Sequence, residues 1–392
     1  MHLSSIKIEN FKNYEAGEIS LAPGLVCFTG PNGAGKTNLL DAIYYLCTGK
    51  SYFNSIDQQL IRDRADYFSI KGDFVKDEVQ DDTGDSSRKN TPSSMGEGRG
   101  EAAEVILCVL VRGRKKVIKH NHEPYTRMID HYGVFPVVMV APGDMELITG
   151  GSEERRKWLD SAISLLNGLY LVQLIKYDKL LQQRNAELRK IASENGNQPT
   201  GLIKTYDSMM APVANDIHEI RKKFCEDFLP FFEDYYRRIS QNNEEVSFQY
   251  LSELNKGSFE QLIEHSIRKD LVLQRTNTGP HRDDLEFMIG GKPLRKFGSQ
   301  GQQKTFLLAL KLAERQFIKY VSGKMALLLL DDVCERLDGN RLRMLFNLVQ
   351  ESGLEGQVFL TDASLERVRG YAGETGMMQS FTVENGKLKK EE

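Results

Sequence analysis

The stretch Gly30-Pro31-Asn32-Gly33-Ala34-Gly35-Lys36-Thr37 decides how the fold of this chain is interpreted. It consists of a glycine, four further residues and Gly-Lys-Thr, and it lies between two patterned segments. The apolar residues 25–28 before it predict a short buried strand, whereas Leu39, Ile43 and Cys47 after it recur at the spacing of one helix face. A strand, a glycine-rich loop and a helix N-terminus together direct backbone N–H groups at an anion. The segment therefore predicts a phosphate-binding loop, and its flanks disfavour a glycine-rich turn that matches by chance.

This loop supplies the first candidate site residues. The lysine of such a loop, here Lys36, would reach the β- and γ-phosphates of a nucleotide, and the Thr37 hydroxyl would ligate magnesium. The residues expected to surround the phosphates are Gly30, Pro31, Asn32, Gly33, Ala34, Gly35, Lys36, Thr37 and Asn38.

A second candidate segment lies far downstream, where the leucines 327–330 are followed by Asp331 and Asp332. A buried apolar strand of this kind delivers an acid to the rim of a parallel sheet, beside the phosphate loop. Asp331 would hold magnesium, and Asp332 would orient or deprotonate an attacking water. The alternative is a strand followed by an ordinary acidic turn, which the presence of the phosphate loop disfavours.

A third segment, residues 298–304, precedes a predicted helix in which Phe306, Leu310, Ala313 and Phe317 share one face. Ser299 and Gly301 stand where a hydroxyl and a bare backbone could approach a phosphate at the helix N-terminus. The alternative is an ordinary helix start, with Ser299 as its N-cap.

Composition narrows the class of protein. The 392 residues allow two or three domains, and the formal net charge of −3 means that any DNA-binding surface must be a local patch. No apolar run approaches the roughly 18 residues that a membrane span needs. The N-terminus does not resemble a signal peptide, because Ile6 and Ile8 alternate with charged residues as in a half-buried strand. The cysteines at positions 27, 47, 108, 225 and 334 show no metal-ligand spacing, which indicates reduced core residues of a cytoplasmic protein.

The chain alternates between patterned and unpatterned segments. Residues 76–104 are polar and predict a disordered insertion at the tip of an antiparallel pair formed by residues 69–75 and 105–111. Residues 152–274 are mostly helical in pattern, and 165–191 and 202–239 predict an antiparallel helix pair separated by residues 195–199. Residues 285–289 predict one arm of a hairpin that turns at Gly290-Gly291. An apolar stripe predicts packing in preference to a partner site, and its members are Ile220, Phe224, Phe228, Phe231, Tyr235 and Ile239.

The three motifs in combination resemble the Walker A, signature and Walker B segments of ABC-type ATPase heads, and residues 335–338 resemble the D-loop. About 295 residues separate Lys36 from Asp331, and they contain neither a transmembrane run nor a long heptad array. This combination is similar to the RecF family of bacterial recombination-mediator ATPases, which is related to SMC-type heads. Residues 6–14, 142–160 and 278–285 resemble further elements of that family.

The resemblance implies an α/β fold, an ABC-type P-loop ATPase head with a mixed β-sheet, plus a mostly helical lobe without a long coiled coil. Lobe I would comprise residues 1–145, including the insertion, and 278–392, and the helical lobe II would comprise 146–277. The implied cofactors are ATP and Mg²⁺, bound in a head-to-tail homodimer. Each ATP would lie between Lys36 and Thr37 of one subunit and the signature of the other, where the implied ligands are Ser299, Gly301, Gln302 and the D-loop Asp338.

The function implied by the resemblance is an ATP-gated clamp on gapped or single-/double-strand junction DNA. It would help RecR and RecO to load RecA during replication, recombinational repair and the SOS response. Slow hydrolysis is expected because Asp332 is shorter than the glutamate of faster relatives.

This sequence departs from the family pattern at several positions. Gly143 stands where an acid is usual, Glu335 replaces a small residue, and Phe53 falls near a usual arginine. Asp362 occupies the place of the transporter switch histidine, which argues against a transport ATPase subunit. An ATP-controlled assembly module that does not act on DNA stays open as an alternative. A nuclease has little support, because no acidic or histidine cluster is evident beyond the nucleotide motifs.

The residues that would touch DNA are ambiguous in the sequence. The densest basic run is Arg112 to Lys116 with Lys119, and shorter runs are Arg221-Lys222-Lys223 and Arg237-Arg238. Each could contact DNA or form a solvated face that balances nearby acids. Arg155 and Arg156 resemble family positions, but Glu153 and Glu154 could neutralise them. His281 could contact a phosphate, or it could be a turn residue held by Asp283 or Asp284.

Overall fold

The structure is a computed structural model that describes residues 1–76, 103–194, 200–240, 244–333, 339–351, 356–372 and 378–391. The strands of this part of the chain are β1 (His2–Phe11), β2 (Tyr14–Ser20), β3 (Leu25–Thr29), β4 (Tyr67–Val75), β5 (Glu104–Val111), β6 (Val117–His120), β7 (Glu123–Pro124), β8 (Val137–Val140), β9 (Val246–Leu251), β10 (Asp284–Ile289), β11 (Lys292–Pro293), β12 (Leu327–Leu330), β13 (Val358–Asp362), β14 (Met378–Glu384) and β15 (Lys387–Lys390). The α-helices are α1 (Lys36–Thr48), α2 (Met145–Thr149), α3 (Ser152–Leu166), α4 (Gly168–Ser193), α5 (Gly201–Ser240), α6 (Phe259–Leu273), α7 (Leu294–Phe297), α8 (Gln300–Ser322), α9 (Gly339–Glu351) and α10 (Leu365–Ala372).

A central sheet has the strand order β15-β14-β3-β13-β12-β8, and all its pairs are parallel except β14 with β15. The leucines of β12 are all buried, as expected for a parallel strand covered on both faces. The carboxyl ends of β3, β12 and β13 meet at one edge of this sheet. The predicted phosphate loop and the predicted acid-bearing strand are therefore neighbours in the fold.

An antiparallel sheet, β2-β1-β4-β5-β6-β7, packs with α1 and the central sheet around one hydrophobic core. Ile6 and Ile8 of β1 are buried in this core, whereas Lys7 between them is exposed, which confirms the predicted half-buried strand. The predicted antiparallel pair is also confirmed, because β4 pairs with β5 from Tyr67 opposite Val111 to Phe74 opposite Glu104. The insertion predicted between them lies almost wholly in residues 77–102, outside the described residues.

The helices α4 and α5 form the predicted pair, but α4 begins at Gly168 and not within residues 165–167. Residues 165 and 166 belong instead to the end of α3. Asn167 separates the two helices, because its side chain caps α4 by accepting a hydrogen bond from Tyr170 N. The apolar stripe of α5 packs inward as predicted: Phe224 and Phe228 are buried and contact Phe317 of α8 through their rings. Residues 195–199, the predicted linker of the helix pair, lie outside the described residues.

A small antiparallel sheet, β11-β10-β9, was predicted only in part. The hairpin at Gly290-Gly291 is confirmed, since β10 pairs with β11 across it. Strand β9 was missed, because residues 152–274 were interpreted from their helical pattern alone. The signal was present in the sequence, since Val246 and Phe248 alternate with polar residues and are buried against α5 and β10.

Four of the cysteines, at positions 27, 47, 108 and 225, are buried and free, and Cys334 lies outside the described residues. Burial raises the pKa of the Cys27 thiol to about 12, so this thiol stays protonated and unreactive at neutral pH. No helix in the described ranges has the length and apolar content that a membrane span requires.

Candidate functional site

The predicted phosphate loop links the end of β3 to the start of α1. Three of its glycines, Gly30, Gly33 and Gly35, have φ angles of 145°, 82° and 115°, which L side chains rarely adopt. At Gly30 a side chain is also excluded by space, because a Cβ atom would lie 2.3 Å from the Val383 carbonyl oxygen on β14. The glycines therefore fit a loop whose backbone must curl back tightly between strand and helix.

Lys36 is the first residue of α1, and its side chain folds back along the loop. Its Nζ donates to the carbonyl oxygens of Gly30, over 2.8 Å, and of Pro31, over 3.2 Å. Gly35 is the N-cap and offers no side chain to the helix, and the first turn of α1 contains no acid. The loop therefore presents a cation and the N–H groups of a helix N-terminus, an arrangement suited to an anion.

Asp331, at the end of β12, meets this loop. The Thr37 hydroxyl lies 2.9 and 3.0 Å from the two carboxylate oxygens of Asp331, so the predicted juxtaposition is present in the structure. The hydroxyl of Thr361, at the end of β13, donates to Asp331 over 2.8 Å. Burial raises the pKa of Asp331, because a carboxylate loses favourable hydration when it is withdrawn from water.

Asp332 follows with a left-handed backbone, φ 48°, and its N–H donates to the Thr361 hydroxyl over 2.9 Å. Thr361 therefore contacts both neighbouring aspartates, through its donor and its acceptor. Sequence analysis did not assign it this position. The available signal was its place at the end of an apolar segment, next to Asp362, in a second strand of the same parallel sheet.

The segment resembling a signature begins α8. Ser299 is exposed and is the N-cap: its hydroxyl accepts from Gln302 N over 3.2 Å, and Gln302 Oε1 accepts from Ser299 N over 2.7 Å. The Gln302 amide also donates to Glu244 over 2.8 Å. The ordinary capping role weighed as an alternative is thus present in this chain. No hydrogen bond among the described residues joins Ser299 or Gly301 to the phosphate loop, and Asp338 with the D-loop lies outside those residues.

Gly143, which stands where the family usually has an acid, is followed by an acid that is bonded to several groups, Asp144. Asp144 accepts hydrogen bonds from the Tyr52 hydroxyl and from Ala141 N, and it lies 3.7 Å from Nζ of Lys311 on α8. Lys311 is buried, and this ion pair connects α8 with the segment between β8 and α2. The Tyr52 hydroxyl extends the connection to the segment that follows α1.

The interpretation of Arg155 as a residue neutralised by Glu153 or Glu154 is wrong. Arg155 is buried and forms a two-pronged ion pair with Asp284, at 2.7 and 3.0 Å, so it is not neutralised by Glu153 or Glu154. Those glutamates pair with Lys157. Nearby, Arg156 donates to the backbone carbonyl of Asp283 over 2.7 Å.

Arg221 is neither a DNA contact nor part of a solvated face. It is 2% exposed, and it donates to Asp160 over 2.8 Å and to Asp283 over 2.7 Å. The basic run that it opens looked like a surface feature in sequence, but its first member lies inside the helical region. Lys223, by contrast, is exposed and pairs with Asp227.

His281 is held by groups other than the predicted Asp283 or Asp284. Its Nε2 donates to the Thr276 carbonyl over 3.1 Å, and its Nδ1 accepts from the Tyr177 hydroxyl over 2.8 Å. Burial lowers the pKa of His281 to about 4, which keeps the ring neutral at physiological pH. Both ring nitrogens are engaged inside the protein, an arrangement that favours the structural alternative for this residue over a phosphate contact.

The densest basic run lies in the hairpin between β5 and β6. Lys116 pairs with Asp57 over 2.7 Å, and Arg112 donates to the Ala65 carbonyl over 3.0 Å. Arg114 and Lys115 are exposed at the tip between them.

Comparisons with known proteins agree on one family. A family profile described as an AAA domain matches residues 5–278 of the chain. The DNA replication and repair protein RecF of Flavobacterium johnsoniae is 38% identical over 375 residues, which cover 96% of this chain and 98% of that protein. RecF of Bacteroides fragilis is also 38% identical, over 395 residues that cover 100% of this chain and 99% of that protein.

Solved structures give the same result. The recombination mediator protein RecF-ATPrS in the RecFOR pathway is 29% identical, with a TM-score of 0.83 and coverage of 99% of this chain and 98% of that one. An Smc head bound to the C-winged helix domain of ScpA is 17% identical, with a TM-score of 0.54 and coverage of 100% and 97%, and it shows the fold alone. The phosphate loop beside Asp331, the α/β ATPase-head fold and these full-length relatives show that the chain belongs to the RecF family of DNA replication and repair proteins.

Proposed function

We propose that this chain is an ATP-dependent DNA-binding repair protein that binds DNA as an ATP-gated homodimer and hydrolyses ATP slowly. The observation that carries the proposal is the contact between Thr37 and Asp331, which joins the phosphate loop to the acid-bearing strand. The RecF relatives solved with ATP and ATPrS support ATP as the nucleotide.

Thr37 and Asp331 fit a magnesium ion. A hydroxyl and a carboxylate supply the hard oxygen ligands that Mg²⁺ prefers, and a bound cation would offset the cost of burying the Asp331 charge. When bound, the ion would neutralise charge on the phosphates. Lys36 would exchange its contacts with loop carbonyls for the β- and γ-phosphates, and Asp332 would orient the attacking water.

We propose that the second half of each site comes from a second copy of the chain. Ser299 is exposed at the start of α8, so it can face a partner. Its capping bond uses the N–H of Gln302, and the N–H groups of Gln300 and Gly301 before it have no partner within the helix. Ser299, Gly301, Gln302 and Asp338 of that copy would meet the phosphates held by the first. ATP would then stabilise the dimer because it contacts both surfaces only when they are together.

The family's role in DNA replication and repair supports DNA as the partner, and the RecFOR pathway named for a structural relative supports RecO and RecR. We propose that the preferred DNA is a gapped duplex or a single-/double-strand junction. The outcome would be the loading of RecA in the cytoplasm, including during the SOS response. The nucleotide sites would belong to a lobe made of residues 1–145 and 278–392, with residues 146–277 as a helical second lobe.

The test is binding to a gapped duplex without nucleotide, with ATP, and with ATP for the Lys36→Met variant, at two salt concentrations. We expect ATP to strengthen binding and Lys36→Met to abolish that gain. The salt dependence measures how many DNA phosphates are neutralised, because each one adds about 0.9 to the slope of the logarithm of the binding constant against the logarithm of the salt concentration. DNA binding that is equally strong with and without ATP would contradict the ATP-gated clamp. ATP binding without DNA binding would favour an ATP-controlled assembly module.

A further inference from the structure

Two side chains where the β1–β2 turn enters β2, those of Asn13 and Tyr14, contact the phosphate loop. Asn13 Nδ2 donates to the Ala34 carbonyl over 3.0 Å, and Asn13 Oδ1 accepts from the Asn38 side chain over 2.7 Å. The buried Tyr14 hydroxyl donates to the Gly35 carbonyl over 2.9 Å. The Ala34 carbonyl also accepts from Gly386 N, and the Gly35 carbonyl from Leu39 N, each over 3.0 Å. Asn13 and Tyr14 therefore add one side-chain donor to each of two consecutive loop carbonyls.

The turn between β1 and β2 contains a non-glycine residue with an unfavourable backbone conformation. Lys12 has φ 51°, in the left-handed region that costs a non-glycine residue about 1–2 kcal/mol. Two bonds hold it there: its N–H donates to the Leu60 carbonyl over 2.7 Å, and its Nζ lies 2.7 Å from the buried carboxylate of Asp41 on α1. Where turn and loop meet, a Cβ atom on Gly35 would lie 2.4 Å from Asn13 Nδ2, so the two segments fit each other closely.

The orientation of these carbonyls determines where the loop's donors point. In a planar trans peptide the C=O and the following N–H point in opposite directions. Fixing the Ala34 carbonyl toward Asn13 therefore turns the Gly35 N–H away from the turn. Fixing the Gly35 carbonyl likewise sets the Lys36 N–H at the start of α1. These N–H groups are among those with which a phosphate loop cradles its anion.

We propose that Asn13 and Tyr14 are positioning residues for nucleotide binding, which preset the peptide groups of the phosphate loop before the nucleotide arrives. The proposal rests on the proposed function, since it requires this loop to bind a nucleoside polyphosphate. These contacts of Asn13 and Tyr14, called the loop clamp below, raise affinity for the nucleotide because the loop loses less conformational freedom on binding. A purely structural role, in which the two residues only join the sheets, would leave nucleotide affinity unchanged.

The test compares Tyr14→Phe and Asn13→Leu with the full-length wild type. Tyr14→Phe removes only the hydroxyl, and Asn13→Leu removes the donor to Ala34 at similar volume without placing a charge beside the bound phosphates. The matched control is Tyr132→Phe, which removes a comparable hydroxyl, bonded to Ser161 over 3.0 Å. Binding of fluorescent ATP and ADP analogues is titrated in the presence of magnesium, and urea unfolding of the nucleotide-free proteins measures their stability.

We expect both clamp variants to lose roughly three- to tenfold in affinity, the effect of one ordinary hydrogen bond. ATP and ADP should be affected alike, because the loop backbone contacts phosphates that both contain. Tyr132→Phe should bind like the wild type. If the wild type binds nucleotide and Lys36→Met does not, but the Asn13 and Tyr14 variants bind as tightly as the wild type, the positioning role of Asn13 and Tyr14 alone is overturned. A wild type that binds neither nucleotide would overturn the proposed function and the clamp together.

Discussion

Thr361 couples the two aspartates of the candidate site through a single hydroxyl. The group donates to Asp331 and accepts from Asp332 N, and the residue is fully buried. Replacing it with valine keeps the shape of the side chain but removes both hydrogen bonds. The Asp332 N–H would then be deprived of this acceptor, at a cost of about 1–3 kcal/mol.

We therefore expect Thr361→Val to lower kcat for ATP hydrolysis by roughly tenfold, about the effect of one well-placed hydrogen bond on a barrier. KM for ATP should change less, because the phosphate loop is untouched. Steady-state hydrolysis measures both constants. Thr149→Val is the control, because the hydroxyl of this exposed threonine donates within its own helix, to the Met145 carbonyl over 3.0 Å. A kcat equal to that of the control would contradict the role of Thr361.

His131 predicts how stability depends on pH. It is fully buried, its Nε2 donates to the Leu46 carbonyl over 2.7 Å, and burial lowers its pKa from 6.5 to about 4. As pH falls through 6.5, the unfolded chain takes up a proton that the folded chain does not, so stability is lost down to about pH 4. This one residue should remove about 2 kcal/mol between pH 7.5 and pH 5.

Urea unfolding at these two pH values checks the expectation. The His131→Leu variant should lose about 2 kcal/mol less than the wild type over the same interval, whatever its stability at pH 7.5. His122→Asn, at an exposed left-handed position, should keep the wild-type pH dependence. An unchanged pH dependence in His131→Leu would contradict a buried neutral ring.

At the scale of elements, contiguous patterns were predicted and contacts between distant segments were not. Residues 25–48 contain the strand, glycine and helix signals in one stretch, and β3 and α1 form there as predicted. Strand β9 was missed because its six residues lie inside a long helical pattern, where only pairing with β10 settles the conformation. Arg221 was misplaced because a basic run looks exposed until Asp160 and Asp283, distant in sequence, are brought around it.

The hairpin between β5 and β6 is the element we expect to meet DNA. Arg114 and Lys115 are exposed at the tip, whereas Arg112 is bonded to the Ala65 carbonyl and Lys116 is paired with Asp57. Reversing Arg114 and Lys115 to glutamate should weaken gapped-duplex binding and lower its logarithmic salt slope by about 0.9 for each phosphate that is no longer neutralised. The charge-matched control reverses the exposed Lys204 and Lys256 on other elements. Equal effects in the two double variants would show that the tip is only a solvated face.

At the scale of the whole molecule, the two halves of the proposed site lie on different elements of one chain. The phosphate loop meets Asp331 at the edge of the central sheet, whereas Ser299 caps α8 without a described hydrogen bond to that loop. The ion pair of Lys311 and Asp144 connects α8 to the segment between β8 and α2, and the Tyr52 hydroxyl, which donates to Asp144, extends that connection to the segment after α1. Closure of a head-to-tail dimer would bring each loop to the other copy's α8.

The measurement that tests this claim most directly mixes two inactive variants, Lys36→Met and Ser299→Arg, and follows ATP hydrolysis with gapped DNA. In a head-to-tail dimer of one of each, one site carries both defects and the other is intact. About half of randomly formed dimers are mixed, so the mixture should recover up to about a quarter of wild-type turnover. A mixture no more active than the two variants measured separately would contradict a site shared between two copies.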